Sequence, residues 1–204
     1  MISNLLYICG APGVGKSTVS RALREPWDCE VMRHTAVPHI QLRHPVSGTP
    51  QGLELGLPRD DFPGTDALSM SIAPAALQFL SSSYASFATG EGARLATRPF
   101  LEALAARGVA VTLVRLAADP ELLEERWRAR GAKQSPSWRK GADTRARRLG
   151  EWFSDAMADL PGPCLYLDMD VTEMSVADTA DRIRDAFPHV VPLGTDPAQR
   201  KVGD

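Results

Sequence analysis

A glycine-rich run near the start of the chain constrains its fold more than any other feature: Gly10-Ala11-Pro12-Gly13-Val14-Gly15-Lys16-Ser17-Thr18. The run satisfies the pattern G-x-x-x-x-G-K-[ST] without exception, and this pattern forms a loop around phosphate groups. The backbone N–H groups of such a loop point at phosphate oxygens, and the helix that follows turns its positive N-terminus to the anion. An apolar run of strand length precedes the loop at residues 4–9, and residues 16–24 suit a helix. The sequence therefore predicts a strand, a phosphate loop and a helix that bind a nucleoside triphosphate.

Every residue from Gly10 to Thr18 is expected to contact the nucleotide. Lys16 has the length to reach the β and γ phosphates, which also makes it a candidate catalytic residue. The hydroxyl of Ser17 is the expected protein ligand for magnesium. ATP and Mg²⁺ are therefore the predicted cofactors.

The size and composition of the chain favour a single soluble domain. It has 204 residues, of which 44% are hydrophobic and 6% aromatic, which suits one substantial core and leaves no room for a second full domain. No apolar stretch approaches the ~20 residues of a membrane span, and the N-terminal segment suits a core strand rather than a signal peptide. We therefore expect one domain over residues 1–187, no membrane partner and a cytoplasmic location. Residues 188–204 have no periodicity, and we expect them to be poorly ordered.

Positive charge is concentrated in one segment of the chain. Residues 126–148 hold nine basic residues and one acid, a net charge of +8, so the remainder carries −10 of the total of −2. Within this segment two predicted helices flank a turn at residues 131–137, as expected of a helical lid that closes over ATP. Arg126 and Arg130 are its candidate catalytic residues, and Arg139 and Lys140 are candidate substrate-binding residues. The alternative is a solvated basic face on two exposed helices.

Strand-like and helix-like segments alternate along the chain. Strands are predicted at residues 4–9, 39–43, 84–89, 109–116 and 164–168. Residues 45–63 are dense in proline and glycine and are predicted to be a long loop. Alternation of this kind favours a parallel sheet with helices on both faces. The predicted fold is therefore an α/β three-layer sandwich with a mostly parallel five-stranded sheet and an arginine-rich helical lid.

A kinase also needs a carboxylate that takes the proton from the attacking hydroxyl. An acid cluster at Asp60, Asp61 and Asp66 precedes the helix predicted from residue 71, and Arg59 beside it is a candidate substrate-binding residue. Asp61 and Asp66 are therefore candidate catalytic residues. Each has an alternative role as a turn residue, and Asp66 also has one as a helix cap.

Two further charged residues follow a weak predicted strand. Glu91 can reach the metal shell or the base from this position, and Arg94 can bind phosphate. Glu91 is therefore a candidate catalytic residue and Arg94 a candidate substrate-binding residue. Unpaired surface charges are the alternative interpretation.

Three segments outside the phosphate loop resemble a group of small phosphate-loop kinases of tailed phages, which includes the 5-hydroxymethyluracil DNA kinases. These segments are Phe62-Pro63-Gly64-Thr65-Asp66-Ala67-Leu68-Ser69-Met70, Glu91-Gly92-x-Arg94-Leu95 and Arg130-Gly131-x-x-Gln134-x-x-x-Trp138-x-Lys140-Gly141. The resemblance implies a nucleoside- and nucleotide-kinase-like fold and transfer of the ATP γ-phosphate to the hydroxymethyl group of a modified pyrimidine in DNA. It also implies that Asp66 is the base. The chain departs from the group at Ala93, where an aspartate is expected, and over residues 141–145.

The identity of the acceptor stays open at this stage. The basic segment can serve the phosphates of ATP or follow the backbone of DNA, which makes DNA a candidate partner. A kinase of a free nucleoside, a nucleotide or another small hydroxylated metabolite is the main alternative. A regulatory switch that hydrolyses nucleotide slowly is a third possibility, but an arginine lid is superfluous for a switch. The sequence does not indicate an oligomeric state.

Overall fold

The computed structural model describes residues 1–59, 64–131 and 134–193. Within them, seven strands form one sheet: β1 (Asn4–Gly10), β2 (Asp28–Met32), β3 (His39–Arg43), β4 (Pro50–Leu55), β5 (Phe87–Glu91), β6 (Ala110–Ala117) and β7 (Cys164–Asp170). Six α-helices accompany them: α1 (Lys16–Arg24), α2 (Ala73–Ser82), α3 (Arg98–Ala105), α4 (Pro120–Ala129), α5 (Pro136–Ala156) and α6 (Val176–Ala186). Short 3₁₀ helices form at Thr65–Ala67 and Pro188–Val190.

The sheet has the strand order β2-β3-β4-β5-β1-β6-β7. The five strands from β4 to β7 in this order pair in parallel, whereas β2 and β3 add an antiparallel extension at the β4 edge. The predicted α/β fold is therefore confirmed, and the strand count is seven rather than five. Because parallel strands end on the same side, the carboxyl ends of β5, β1, β6 and β7 meet at one edge of the sheet.

The strand β4 lies in a segment that was expected to be a loop. Residues 50–55 form β4, and the strand predicted at 39–43 is β3 in the antiparallel extension. Pro50 opens β4, where a strand tolerates proline. Gly52 leaves space for the ring of Phe87, because a Cβ atom there would lie 2.2 Å from it. Proline and glycine, which usually indicate a turn, are therefore compatible with a strand at these two positions. The prediction of a loop over residues 45–63 was wrong for β4.

The two faces of the sheet carry separate apolar cores. Leu5, Tyr7 and Cys9 of β1 point to one face, which α2, α3 and α5 cover, whereas Leu6 and Ile8 point to the other face, beneath α1 and α6. This alternation follows from the two-residue period of a strand. Helices therefore cover both faces of the sheet, which gives three layers, and α1 lies on the face that carries Leu6 and Ile8.

The start of the predicted disordered tail is packed against the domain. The carbonyl oxygen of Val190 accepts a hydrogen bond of 2.7 Å from the indole of buried Trp27. The carbonyl oxygen of Leu193 lies 2.8 Å from Nε2 of His44. Residues 188–193 therefore belong to the fold, which extends beyond residue 187, and residues 194–204 lie outside the described residues. No helix in the described ranges has both the length and the apolar character of a membrane span.

Candidate active site

The glycine-rich run forms a tight loop between β1 and α1. Gly15 precedes the first helical residue with a φ of 108°, and Gly13 has a φ of 84°, both in the left-handed region that favours glycine. A Cβ atom on Gly13 would lie 2.9 Å from the indole of Trp127. In the described part of the chain, the backbone N–H groups of Gly13, Gly15 and Lys16 donate to no other protein group. The loop therefore offers free donors at a helix N-terminus, which is the arrangement that binds phosphate.

Lys16 lies across the loop that it follows. Its Nζ atom donates to the carbonyl oxygens of Gly10 at 3.1 Å and Ala11 at 3.0 Å. Burial lowers the pKa of this ammonium group, and the nearby carboxylates of Glu91 and Asp66 oppose that effect. Lys16 is thus a desolvated cation at the phosphate loop, where its attraction for an anion is strong.

Ser17 and Glu91 meet at the start of α1. β5 is the neighbour of β1, and its last residue, Glu91, is in register with Ile8. The hydroxyl of Ser17 donates to Oε1 of Glu91 at 2.8 Å. Burial raises the pKa of Glu91 to about 7, although Lys16 and the Ser17 hydrogen bond counteract this effect. These adjacent hydroxyl and carboxylate oxygens are ligand types that Mg²⁺ prefers, so the residues present fit the metal.

Asp66 is held against the loop that follows Glu91. It lies in the 3₁₀ helix Thr65–Ala67, and its Oδ1 atom accepts hydrogen bonds from the backbone N–H groups of Ala93 at 2.8 Å and Arg94 at 3.1 Å. The alternative interpretation of Asp66 as a cap does not apply, because α2 begins only at residue 73. Asp66 also acts electrostatically on both Lys16 and Glu91. The structure therefore brings the candidate base to the phosphate loop.

The other candidates near Asp66 differ in how the structure places them. The guanidinium of Arg94 donates to the backbone oxygen of Asp66 at 3.3 Å and also contacts Met70. The Arg94 side chain is therefore bonded to the segment that contains Asp66. These bonds do not indicate a contact with phosphate. Arg59 is exposed at the end of a described range. Asp60 and Asp61 lie outside the described residues.

The basic segment contacts the phosphate loop through α4. Nη1 of Arg126 donates to the carbonyl oxygen of Val14 at 3.3 Å, and Nε1 of Trp127 donates to that of Pro12 at 3.0 Å. Arg130 is exposed, and its charge contributes to lowering the pKa of Lys16. Arg126 and Arg130 therefore lie where a triphosphate in the loop would attract them.

The two helices of the basic segment, α4 and α5, are joined to each other, and we call them the basic helix pair. The guanidinium of Arg139 on α5 pairs with Glu124 on α4 and lies 4.4 Å from the ring centroid of Trp127. Arg139 is therefore engaged within the pair rather than with the loop. Lys140 is exposed. The expected turn between the helices is present at residue 131, but residues 132 and 133 lie outside the described residues.

Three buried polar side chains near the site, those of Tyr7, Thr65 and Glu54, had no role predicted from the sequence. Tyr7 and Thr65 are both fully buried and are 2.8 Å apart at their hydroxyl oxygens. The only signal for Tyr7 is a phenol in an otherwise apolar strand. Glu54 is a third such residue: it accepts a hydrogen bond of 2.8 Å from Arg24, which fastens α1 to β4. Burial raises the pKa of Glu54.

A cavity of about 560 Å³ lies at the carboxyl ends of β6 and β7. Asp119, Asp170 and Thr172 are among the residues that line it. β6 is the neighbour of β1, the strand that leads into the phosphate loop. In open parallel sheets, ligands bind outside the carboxyl ends of the strands. The cavity therefore lies at the same edge of the sheet as the phosphate loop.

The fold is that of a P-loop kinase, and the glycine-rich run forms its phosphate loop. A family model described as P-loop Nucleotide Kinase3 matches residues 1–162, and the chain belongs to that family. A search of curated proteins found no significant match.

Two solved structures are similar over almost the whole chain. One is a gluconokinase from Sinorhizobium meliloti 1021, with 19% identity, coverage of 93% of this chain and 92% of that chain, and a TM-score of 0.44. The other is an unliganded sugar kinase from Janibacter sp. HTCC2649, with 14% identity, coverage of 93% and 98%, and a TM-score of 0.45.

Proposed function

We propose that this chain is an ATP-dependent kinase that phosphorylates a hydroxyl group, and that its acceptor is the hydroxymethyl group of 5-hydroxymethyluracil in DNA. One observation carries the proposal of a hydroxyl acceptor. The Asp66 carboxylate is fixed by two backbone N–H groups on the loop that directly follows Glu91, and Glu91 in turn contacts Ser17 of the phosphate loop. A carboxylate in that position is suited to accept the proton of a hydroxyl that attacks the γ-phosphate.

In the proposed reaction, the acceptor oxygen forms a bond to the γ-phosphorus while the bond to the ADP oxygen breaks. Asp66 takes the proton that the hydroxyl loses. Lys16 and the loop N–H groups offset the charge that spreads over the phosphate oxygens, and Arg126 on α4 and Arg130 directly after it add positive charge. Ser17 and Glu91 would hold Mg²⁺, which supplies charge neutralisation at the phosphates when bound.

The basic helix pair supports an acceptor that is part of DNA. Lys140, Arg145 and Arg148 are exposed on α5. Lys140 and Arg148 are eight residues apart, which separates them by about 12 Å along the helix axis and about 80° around it. Such a row can contact several phosphates of a nucleic-acid backbone. The proposal also relies on the resemblance of the segments around Asp66, Glu91 and Lys140 to the phage DNA kinases.

The alternative acceptor is a free nucleoside or nucleotide. The description of the family as a nucleotide kinase favours it. In that case the exposed cations of α5 would contribute to binding of a small anionic substrate rather than to contacts along a duplex.

A phosphate-transfer assay with γ-labelled ATP separates the two acceptors. One arm contains duplex DNA with 5-hydroxymethyluracil, a second contains the same duplex with thymine, and a third contains the free nucleoside and its monophosphate. Label that enters only the hydroxymethylated duplex supports the proposal, whereas label that enters only the small molecules contradicts the DNA acceptor. Absence of transfer in every arm contradicts the hydroxyl acceptors named here.

Variants connect the assay to the residues. Asp66→Asn should reduce transfer at least about 10³-fold with little change in ATP affinity, because it removes the base without altering the phosphate loop. Asp155→Asn, at an exposed position on α5, is the matched control. Arg148→Ala should weaken binding to duplex DNA and lower its salt dependence, whereas Arg182→Ala on α6 should change neither.

A further inference from the structure

A chain of three buried hydrogen bonds runs from the loop after β5 to β1 and back. The N–H group of Leu95 lies 3.3 Å from the hydroxyl oxygen of Tyr7, which lies 2.8 Å from the hydroxyl oxygen of Thr65. The Thr65 hydroxyl donates to the carbonyl oxygen of Glu91 at 2.8 Å. Because that bond uses the only hydroxyl proton of Thr65, Tyr7 must be the donor to Thr65. Every bond in the chain therefore has a defined direction.

Burial of the Tyr7 and Thr65 hydroxyl groups in the core costs free energy of desolvation, which their hydrogen bonds must offset. Both side chains are 0% exposed. The Tyr7 ring lies against Gly90, where a Cβ atom would come within 2.8 Å of it. A phenylalanine and a valine would fill the same space without any need for partners. The two hydroxyls therefore fix the relative positions of Thr65, Leu95 and Glu91, which apolar packing alone would not determine.

The bonded groups flank the contacts that hold Asp66. Thr65 directly precedes Asp66 in the chain. Leu95 directly follows Arg94, whose N–H group donates to the Asp66 carboxylate. The carbonyl group that accepts from Thr65 belongs to Glu91, the last residue of β5, which directly precedes the same loop. The hydroxyls of Tyr7 and Thr65 therefore join the 3₁₀ helix of Asp66 to both ends of the loop that binds its carboxylate.

We propose that Tyr7 and Thr65 are positioning residues that fix the Asp66 carboxylate relative to Glu91 and the phosphate loop. Both hydroxyls are fully buried and bonded to protein groups, so each acts through the backbone that carries Asp66. This role rests on the proposed function of Asp66 as the base. In this proposal β1 contributes to proton transfer through Tyr7, in addition to leading into the phosphate loop.

Three substitutions test the role in the transfer assay. Tyr7→Phe and Thr65→Val keep the shapes and remove the hydroxyls, so kcat for transfer should fall about 10- to 100-fold, since small displacements of a reacting group have effects of that size. The KM for ATP should stay within about twofold of the wild-type value. Thr65→Ser retains the hydroxyl and should restore most of kcat, and Tyr84→Phe, at an exposed tyrosine, is the control. A wild-type kcat in Tyr7→Phe would overturn the proposal.

A second measurement does not depend on the acceptor. The amide protons of Ala93 and Arg94 should exchange with solvent at least about tenfold faster in Tyr7→Phe and Thr65→Val than in the wild type. Amides that pair β1 with β6 should keep their protection, which would show that both variants remain folded. Unchanged exchange at Ala93 and Arg94 would overturn the positioning role even if transfer were lost. Failure of the wild type to phosphorylate any acceptor would instead contradict the proposed function and leave this exchange result to decide the positioning role.

Discussion

Replacement of Glu91 by glutamine should stabilise the protein in the absence of nucleotide and metal, and the gain should depend on pH. Glu91 is 3% exposed, and burial raises its pKa from an ordinary value of 4.5 to about 7. The raised folded-state pKa means that the wild type keeps the stability contributed by this group below pH 4.5 and loses it as the pH rises to about 7. The difference between these two pKa values corresponds to about 3 kcal/mol. Glutamine does not ionise and can still accept the hydrogen bond from Ser17.

Urea unfolding of the wild type and Glu91→Gln in the presence of EDTA measures this effect. The unfolding free energy of the variant minus that of the wild type should increase by about 2 to 3 kcal/mol between pH 5 and pH 8. Most of this increase should occur below pH 7, and the difference should level off above it. Glu25→Gln, at an exposed position, should show no such change. A difference that is independent of pH would refute the argument that burial of the carboxylate is costly. The stabilised variant should also bind Mg²⁺–ATP more weakly, because it lacks a negative ligand.

Three further predictions concern the phosphate loop. Trp127→Phe keeps an aromatic ring but removes the donor to Pro12, so ATP affinity should fall about 3- to 10-fold by isothermal titration calorimetry, and unchanged affinity would contradict the role of that bond. Gly13→Ala should lower ATP affinity at least about tenfold in the same assay, because the position combines left-handed backbone with contact to Trp127; Gly48→Ala, which is left-handed but unobstructed, should not. Chelation of Mg²⁺ by EDTA should abolish phosphate transfer and added Mg²⁺ should restore it, so transfer that persists in EDTA would contradict metal dependence.

The sequence was sufficient to predict features that depend on local pattern. The phosphate loop lies within one continuous segment, so its spacing alone indicated both the site and the strand and helix around it. The strands β6 and β7 were clear because they are apolar and bounded by turn residues. β4 was missed because Pro50 and Gly52 signal a turn locally, whereas their suitability for a strand depends on distant Phe87.

The site was predictable in its residue types but not in its contacts. Asp66 and Glu91 were candidate catalytic acids from their positions in the sequence, yet the bonds from Ala93 and Arg94 to Asp66 depend on the approach of two loops. The orientation of Arg139 toward Glu124 likewise depends on the packing of α5 against α4. Charge counting cannot separate a guanidinium that meets a ligand from one that joins two helices.

The bonds from α4 to the carbonyl oxygens of Pro12 and Val14 have a mechanical consequence. A movement of either peptide group on binding of phosphate would have to carry α4 along or break the bond to that group. Arg139 extends this linkage to α5 through its contact with Trp127. If binding of phosphate changes these contacts, the orientation of the basic helix pair must change the affinity of the loop for phosphate by the same free energy.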